Sequence, residues 1–297
     1  AQGLVENVQI LSSNLVQNGD FSEEGAEEVS NGSFSQEGSE LITNGNFDTD
    51  SDWTKQASWS ISGGAANYDF LSDAKYIRQT LLNGGFVAGK TYKINFEITS
   101  GTAYMNINSN GGGLISLNSY SVGSYSLYTT ASVNGSDLLF YGRNTSGTAF
   151  SIDNVSVREV AQNWTLGTGW SIGEDKAVLT NVGYNINCTQ ANVTTIGQYY
   201  KVEFTILDYL SGGIRISLGG SATSIVSANG TYSFYIQATA NNLVVLQPLY
   251  ASGTNLSITN ISVKEVGQNW DFGTGWSIAE DKAVAVSGSA TKLQQTI

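Results

Sequence analysis

Trp53-Thr-Lys-Gln-Ala-Ser-Trp59-Ser-Ile61 returns as Trp164-Thr-Leu-Gly-Thr-Gly-Trp170-Ser-Ile172 and again as Trp270-Asp-Phe-Gly-Thr-Gly-Trp276-Ser-Ile278. The three openings lie 111 and 106 residues apart. The first two also share an ending, Ser151-Ile-Asp-Asn-Val-Ser-Val-Arg-Glu-Val160 against Ser257-Ile-Thr-Asn-Ile-Ser-Val-Lys-Glu-Val266. Units of this length are far longer than the ~20–50 residues of a solenoid repeat and match a domain with its own core. The chain therefore divides into an arm, 1–40, a first domain, 41–160, a second, 161–266, and the start of a third copy, 267–297. That last stretch covers an opening strand and little else, so it is not expected to fold alone. As the sequence also starts on Ala1, it is expected to be a fragment whose natural chain continues.

The domains are patterned for β structure. Tyr92, Ile94, Phe96 and Ile98 alternate with Lys93, Asn95 and Glu97, and Tyr200, Val202, Phe204 and Ile206 repeat the pattern. Strict alternation marks a strand with one face in a core and one in water. In each closing strand the alternation slips, between Ile152 and Val155 and between Ile258 and Ile261. One extra residue near Asp153-Asn154 and Thr259-Asn260 restores the phase, which predicts a β-bulge at both places. Several short antiparallel strands with Gly-rich turns predict an all-β fold, tandem jelly-roll sandwiches. The single proline, Pro248, is expected at an edge or strand end.

The arm has its own repeat. Leu15-Val-Gln-Asn-Gly-Asp-Phe21, Glu28-Val-Ser-Asn-Gly-Ser-Phe34 and Leu41-Ile-Thr-Asn-Gly-Asn-Phe47 recur every 13 residues. Asn-Gly tolerates positive φ and signals a tight reversal. Each unit reads as a short strand, a turn and an anchoring Phe, too small to hold a core by itself. Two readings stand. One is a leader draped on the surface, made by duplicating the first strand of the domain; the other is a stalk whose strands pair with those of neighbouring chains.

Composition excludes several functions. The formal charge of −12 belongs almost wholly to residues 1–50, which carry ten acids and no Lys or Arg. Such an arm repels phosphate backbones, so nucleic acid is not an expected partner. With no histidine, the segment offers neither Ser-His-Asp nor Cys-His catalysis, and the lone Cys188 forms no internal disulfide. No apolar run reaches the ~18 residues of a membrane span, so membrane insertion is not expected. Paired carboxylates can hydrolyse a glycoside, but Glu174-Asp175-Lys176 and Glu280-Asp281-Lys282 fall where a turn is expected and read as solvated hairpin tips. No enzyme activity and no required cofactor are expected.

Leu41-Ile-Thr-Asn-Gly-Asn-Phe47, followed by Trp53 and closed by Ile152-Asp-Asn-Val-Ser-Val157, resembles the galactose-binding-like jelly rolls among carbohydrate-binding modules. The likeness is close over 41–160 and looser over 161–266. Similar modules occur in tandem on bacteriophage fibre and virion proteins and on bacterial surface proteins. The resemblance implies a virion structural or decoration protein, on a virion surface or extracellular. Its partners would be other virion proteins through the arm, further copies of itself, and cell-surface glycans. The alternative is a sugar-binding array of a secreted adhesin or polysaccharide-degrading enzyme. It also implies a structural calcium, with Asp48 and Asp153 as the matching carboxylates in domain one. In domain two Thr259 stands in the Asp position.

Sugar rings stack through their C–H faces on aromatic planes, so the candidate sugar-binding residues are Trp53, Tyr68, Tyr76, Tyr104 and Tyr120. Trp59 and Trp170 share a strand face with Ile61 and Ile172 and are expected in the cores.

Overall fold

The computed structural model describes residues 15–286, 288 and 291–296; the arm before Leu15 lies outside the described residues. The arm contributes β1 (Glu24–Glu27). Domain one runs through β2 (Thr54–Lys55), β3 (Trp59–Ile61), β4 (Ala66–Tyr68), β5 (Lys75–Thr80), β6 (Thr91–Ser100), β7 (Ala103–Ser109), β8 (Gly112–Tyr120), β9 (Gly123–Thr130), β10 (Asp137–Gly142) and β11 (Phe150–Val160). These form one sheet in the order β3-β4-β11-β6-β9 and a second in the order β2-β5-β10-β7-β8. The set 4-11-6-9 facing 5-10-7-8 is the double Greek key of a jelly roll.

Domain two repeats this with β12 (Trp170–Gly173), β13 (Lys176–Val182), β14 (Cys188–Gln190), β15 (Tyr199–Ser211), β16 (Ile214–Leu218), β17 (Ser221–Ala222), β18 (Gly230–Gln237), β19 (Val244–Pro248) and β20 (Thr254–Val266). Its sheets run β12-β13-β20-β15-β18 and β14-β19-β16-β17. Pro248 ends β19, where no further ladder N–H is needed. The third copy holds two antiparallel pairings, β21 (Asp271–Phe272) with β24 (Leu293–Gln294), and the hairpin of β22 (Trp276–Ala279) with β23 (Lys282–Ala285).

Each sandwich has its own core. Trp59, Tyr68, Phe96, Phe140 and Phe150 fill the first; Trp170, Phe204, Ile216, Leu246 and Ile258 fill the second. The phase slip in each closing strand is a bulge. Asp153 faces Glu97 and Ser156 faces Asn95, so three residues on β11 span two on β6. In domain two Thr259 faces Thr205 and Ser262 faces Glu203. Asn154 and Asn260 take φ of 53° and 52° there, the left-handed conformation that Asn tolerates best after Gly.

From Leu15 onward the arm lies on its own domains, one unit to each, in reverse order. Unit three (41–47) seats on domain one, unit two (28–34) on domain two and unit one (15–21) on the third copy. In every unit the Phe N–H closes a turn on the Asn carbonyl, at 3.0 to 3.2 Å. The ring of Phe47, Phe34 or Phe21 packs on Trp53, Trp164 or Trp270, with centroids 5.1, 5.3 and 5.1 Å apart. The same tryptophans donate Nε1–H to the carbonyls of Asn44, Asn31 and Asn18, at 3.0, 3.1 and 3.0 Å.

The turn differs from the expected Asn-Gly reversal. Positive φ falls on Asn and Phe (52° and 57° at Asn31 and Phe34), not on the glycine. Glycine is required for another reason: a Cβ on Gly32 would lie 1.9 Å from the Ile261 carbonyl oxygen, and one on Gly45 would lie 2.0 Å from that of Val155. The bulged strand donates Ile261 N–H and Val155 N–H to those same glycine carbonyls.

The links between units are tied down too. Glu40 accepts from the Val157 N–H and Ser156 hydroxyl at 2.8 and 2.6 Å, and Glu27, 13 residues earlier, accepts from Val263 N–H and Ser262 at 2.7 and 2.6 Å. Glu37 pairs with Lys93, and Glu24 with Lys201 and Lys264. Glu24, Glu37 and Glu40 of the arm are thus paired with bases on the sheets they cross.

Successive domains touch through one repeated junction. The hairpin tip at Glu174-Asp175 lies against β9 of domain one, where Tyr128 packs on the second core. The tip at Glu280-Asp281 lies against β18 of domain two, where the Tyr235 hydroxyl donates to Asp281 at 3.0 Å. These runs are hairpin tips, as expected, but each is seated on the preceding domain. In domain one the corresponding tip is Gly63-Gly64, where an added Cβ would find no atom of the described residues within 4 Å.

Candidate functional site

The outer face of β5-β10-β7-β8 in domain one gathers aromatic, amide and charged side chains. On β5, Ile77 and Gln79 point inward, so Tyr76 and Arg78 point outward. On β10 the outward residues are Leu139 and Tyr141, and on β7 they are Tyr104, Asn106 and Asn108. Register aligns them into rungs: Tyr76, Tyr141 and Asn106 across one, Arg78, Leu139 and Asn108 across the next. The Tyr76 and Tyr141 rings meet edge to face, with centroids 5.3 Å apart and planes at 68°. This is a favoured aromatic geometry that leaves ring surface open. Arg78 lies 6.0 Å from the Tyr76 ring centre and hydrogen-bonds the buried Asp137 carboxylate at 3.3 Å.

Beside the tyrosines, Arg143 forks onto Asp73 through Nε and Nη2 at 3.0 and 3.2 Å. That guanidinium holds the Asp73 carboxyl below its ordinary range. Asn106 donates to Asn108 at 2.9 Å. These amides and Arg143, with Gly113, Ile115 and Leu117 of β8, line a hollow of about 380 Å³. Planar amides, a bidentate Arg–carboxylate pair and an aromatic step on a rigid sheet suit a ligand of many hydroxyls and C–H faces.

The sequence candidates divide by burial. Tyr76 and Tyr104 are half-buried and lie on this face. Trp53, Tyr68 and Tyr120 are 6%, 1% and 3% exposed and pack inside the sandwich. Trp53 holds the arm, Tyr68 donates its hydroxyl to the Ser72 carbonyl, and Tyr120 stands edge-on to Phe96 at 5.3 Å. Tyr141 escaped the sequence reading because Leu138-Leu139-Phe140-Tyr141 is an unbroken apolar run that hides which residues face out. Asn106, Asn108 and Arg143 carried no signal beyond polarity in a strand.

The matching face of domain two carries Arg215, Gln247, Val245 and Ser217. Arg215 donates to Gln247 at 2.7 Å. No aromatic pair stands at the Tyr76–Tyr141 position, so the step belongs to domain one.

Asp48 and Asp153 come near each other beside the bulge. Partial burial, with the charges of Glu97 and Asp48, raises the Asp153 carboxyl above its ordinary value. Asp153 accepts from the Asn154 N–H, and Asn46 donates to Asp48. Among the described residues no three His, Cys, Asp or Glu side chains converge as a metal set. A calcium held here would take most of its oxygen shell from backbone carbonyls.

No family model and no curated protein matches the chain. Among solved structures, the tandem CBM22-1–CBM22-2 domain of Paenibacillus barcinonensis Xyn10C aligns over 77% of this chain and 98% of its own, at 10% identity and TM-score 0.32. A fucolectin from striped bass (Morone saxatilis) serum aligns over 76% and 98%, at 12% identity and TM-score 0.25. A Paenibacillus xanthan lyase aligns over 73% of this chain and 25% of its own, at 17% identity and TM-score 0.24. At these values the likeness bears on neither ligand nor residue.

Proposed function

We propose that the chain is a non-enzymatic display array, extracellular or on a bacteriophage virion as a fibre or decoration protein, whose first jelly roll binds glycan. The observation that carries the binding role is the Tyr76–Tyr141 step beside Asn106, Asn108 and Arg143 on an outer sheet face. Sugar C–H faces would lie on the tyrosines while hydroxyls exchange hydrogen bonds with the amides and the Arg143–Asp73 pair. The display role is supported by the repeated junction and by the arm that crosses successive domains. The arm is the part assigned to partners, whether other virion proteins or further copies.

A glycan array probed with the full chain tests the binding role. Saturable binding lost in Tyr76→Ala and Tyr141→Ala, with the domain-one melt unchanged, supports it. A blank array, or binding that survives both substitutions, removes it. For the setting, antibody raised to the chain should decorate purified phage particles.

A further inference from the structure

We propose that each jelly roll carries a receptor groove for an Asn-Gly-x-Phe peptide, and that the arm of a second copy of the chain can fill it, so that copies associate by exchanging arms. The proposal goes beyond the glycan reading and does not depend on it.

The groove reads the peptide mostly through its backbone. Gln190 takes the Ser30 N–H on Oε1 and returns Nε2–H to the Ser30 carbonyl, both at 2.8 Å. Gln79 does the same for Thr43, at 2.8 and 2.7 Å, and Gln295 for Gln17, at 2.9 and 2.8 Å. In all three copies the tryptophan indole takes the Asn carbonyl and its ring takes the Phe. In the first two, the bulged strand takes the Gly carbonyl and leaves no room for a Cβ. Backbone pairing supplies affinity here, while the Gly and Phe positions supply selectivity.

The tether plays no part in recognition. Trp164 and Asn31 are 133 residues apart, and Trp270 and Asn18 are 252 apart, with whole domains between them. The arm, with unit three at its end, joins the rest of the array through Asp48-Thr-Asp-Ser-Asp52, an exposed stretch where Asp52 is held at a φ of 65°. Swinging the arm about that stretch onto a second copy recreates the groove contacts with identical partners and gives up only the bonds between Asn44 and the hinge residues Thr49 and Ser51, the condition under which domain swapping carries little cost. Charge favours the same partner. An arm segment rich in acids and without bases meets Lys93, Arg158, Lys201 and Lys264 along the grooves. Within one copy the tether keeps the effective concentration of the arm near millimolar, so exchange is favoured at high protein concentration or when chains fold together.

The test uses the full chain carrying Gly32→Val, which keeps its own unit two out of the groove and leaves every groove residue in place. Fluorescence anisotropy with a labelled peptide of residues 28–40 should show saturable binding to this variant. Binding to the unsubstituted chain, whose groove is filled, should be at least tenfold weaker. The same peptide bearing Gly32→Val should not bind. Should Gly32→Val fail to fold, a protease site inserted after Gln36 in the unsubstituted chain replaces it: the severed arm stays bound and exchanges with added labelled peptide. Refolding the unsubstituted chain at high concentration, followed by sedimentation, should give dimers that a chain carrying Phe21→Ala together with Gly32→Val and Gly45→Val does not form. Peptide that binds neither the folded variant nor the severed chain overturns the receptor. Peptide binding without dimers at any concentration overturns the second copy as its occupant. Glycan binding through Tyr76 is unaffected by either result.

Discussion

Gln190 holds Ser30 across 160 residues of sequence by both ends of its side-chain amide, with two hydrogen bonds of 2.8 Å. Gln190 is 5% exposed, so neither of its polar groups has water to fall back on. Gln190→Leu should therefore remove both hydrogen bonds to Ser30 and destabilise domain two by about 1–3 kcal/mol. Urea melts followed by Trp164 fluorescence measure this. The domain-one transition, which depends on Gln79, should not move.

Gly45→Ala should be among the most damaging small substitutions in the arm, since its Cβ would sit 2.0 Å from the Val155 oxygen. Forcing that contact apart should cost about 3 kcal/mol. Gly19→Ala makes a sharp control, because among the described residues its Cβ meets only Cγ1 of the exposed Val16, at 3.2 Å. Thermal melts of the two variants should differ accordingly; equal losses would mean that the glycine serves its turn and not the close approach.

Acid should release the arm. The Lys201 and Lys264 ammonium groups hold the Glu24 carboxyl below its ordinary value of 4.5 in the folded chain. A depressed carboxylate contributes stability that is complete above its unfolded value and is lost as pH falls through the folded one. The arm should thus stay protected above pH 4.5 and open to cleavage progressively as pH falls below it. Pepsin digestion across that range, with Glu24→Gln as comparison, reads it directly: the variant should show a weaker pH dependence.

Calcium should act on domain one alone. Adding it should raise the first thermal transition in proportion to its occupancy, and chelator should reverse the rise. Asp153→Ala should abolish the response. Domain two, with Thr259 in that place, should show none. A shift in both transitions, or in neither, removes the proposed ion.

Much of the fold is written in short-range pattern. Period-two alternation in β6 and β15 gave their faces, and the slip after Ile152 and Ile258 marked the bulges. Phe34 and Trp164 were visible as repeated residues, yet their partnership was not. All three 13-residue units carry the same anchoring elements, so nothing local says which domain each one meets. Gln79, Gln190 and Gln295 follow their tryptophans by 26, 26 and 25 residues. That spacing stood in the sequence without meaning until the backbone it pairs with was known. The candidate site was less legible, because an aromatic residue in a strand reads the same from either side. Tyr76 and Tyr68 differ only in which sheet face their strand turns outward.

The reversed order of the units has a consequence for the growing chain. Pairings between the arm and the domains are nested, like brackets: Asn44 with Trp53 inside Asn31 with Trp164, inside Asn18 with Trp270. A ribosome emits all three arm units before the first tryptophan. Unit three finds its groove at once, unit two waits for a second domain to emerge, and unit one waits longest. During that delay unit one is the last of the three to be seated, although it is made before the other two, and a neighbouring nascent chain on the same messenger has its best opportunity to intercept it.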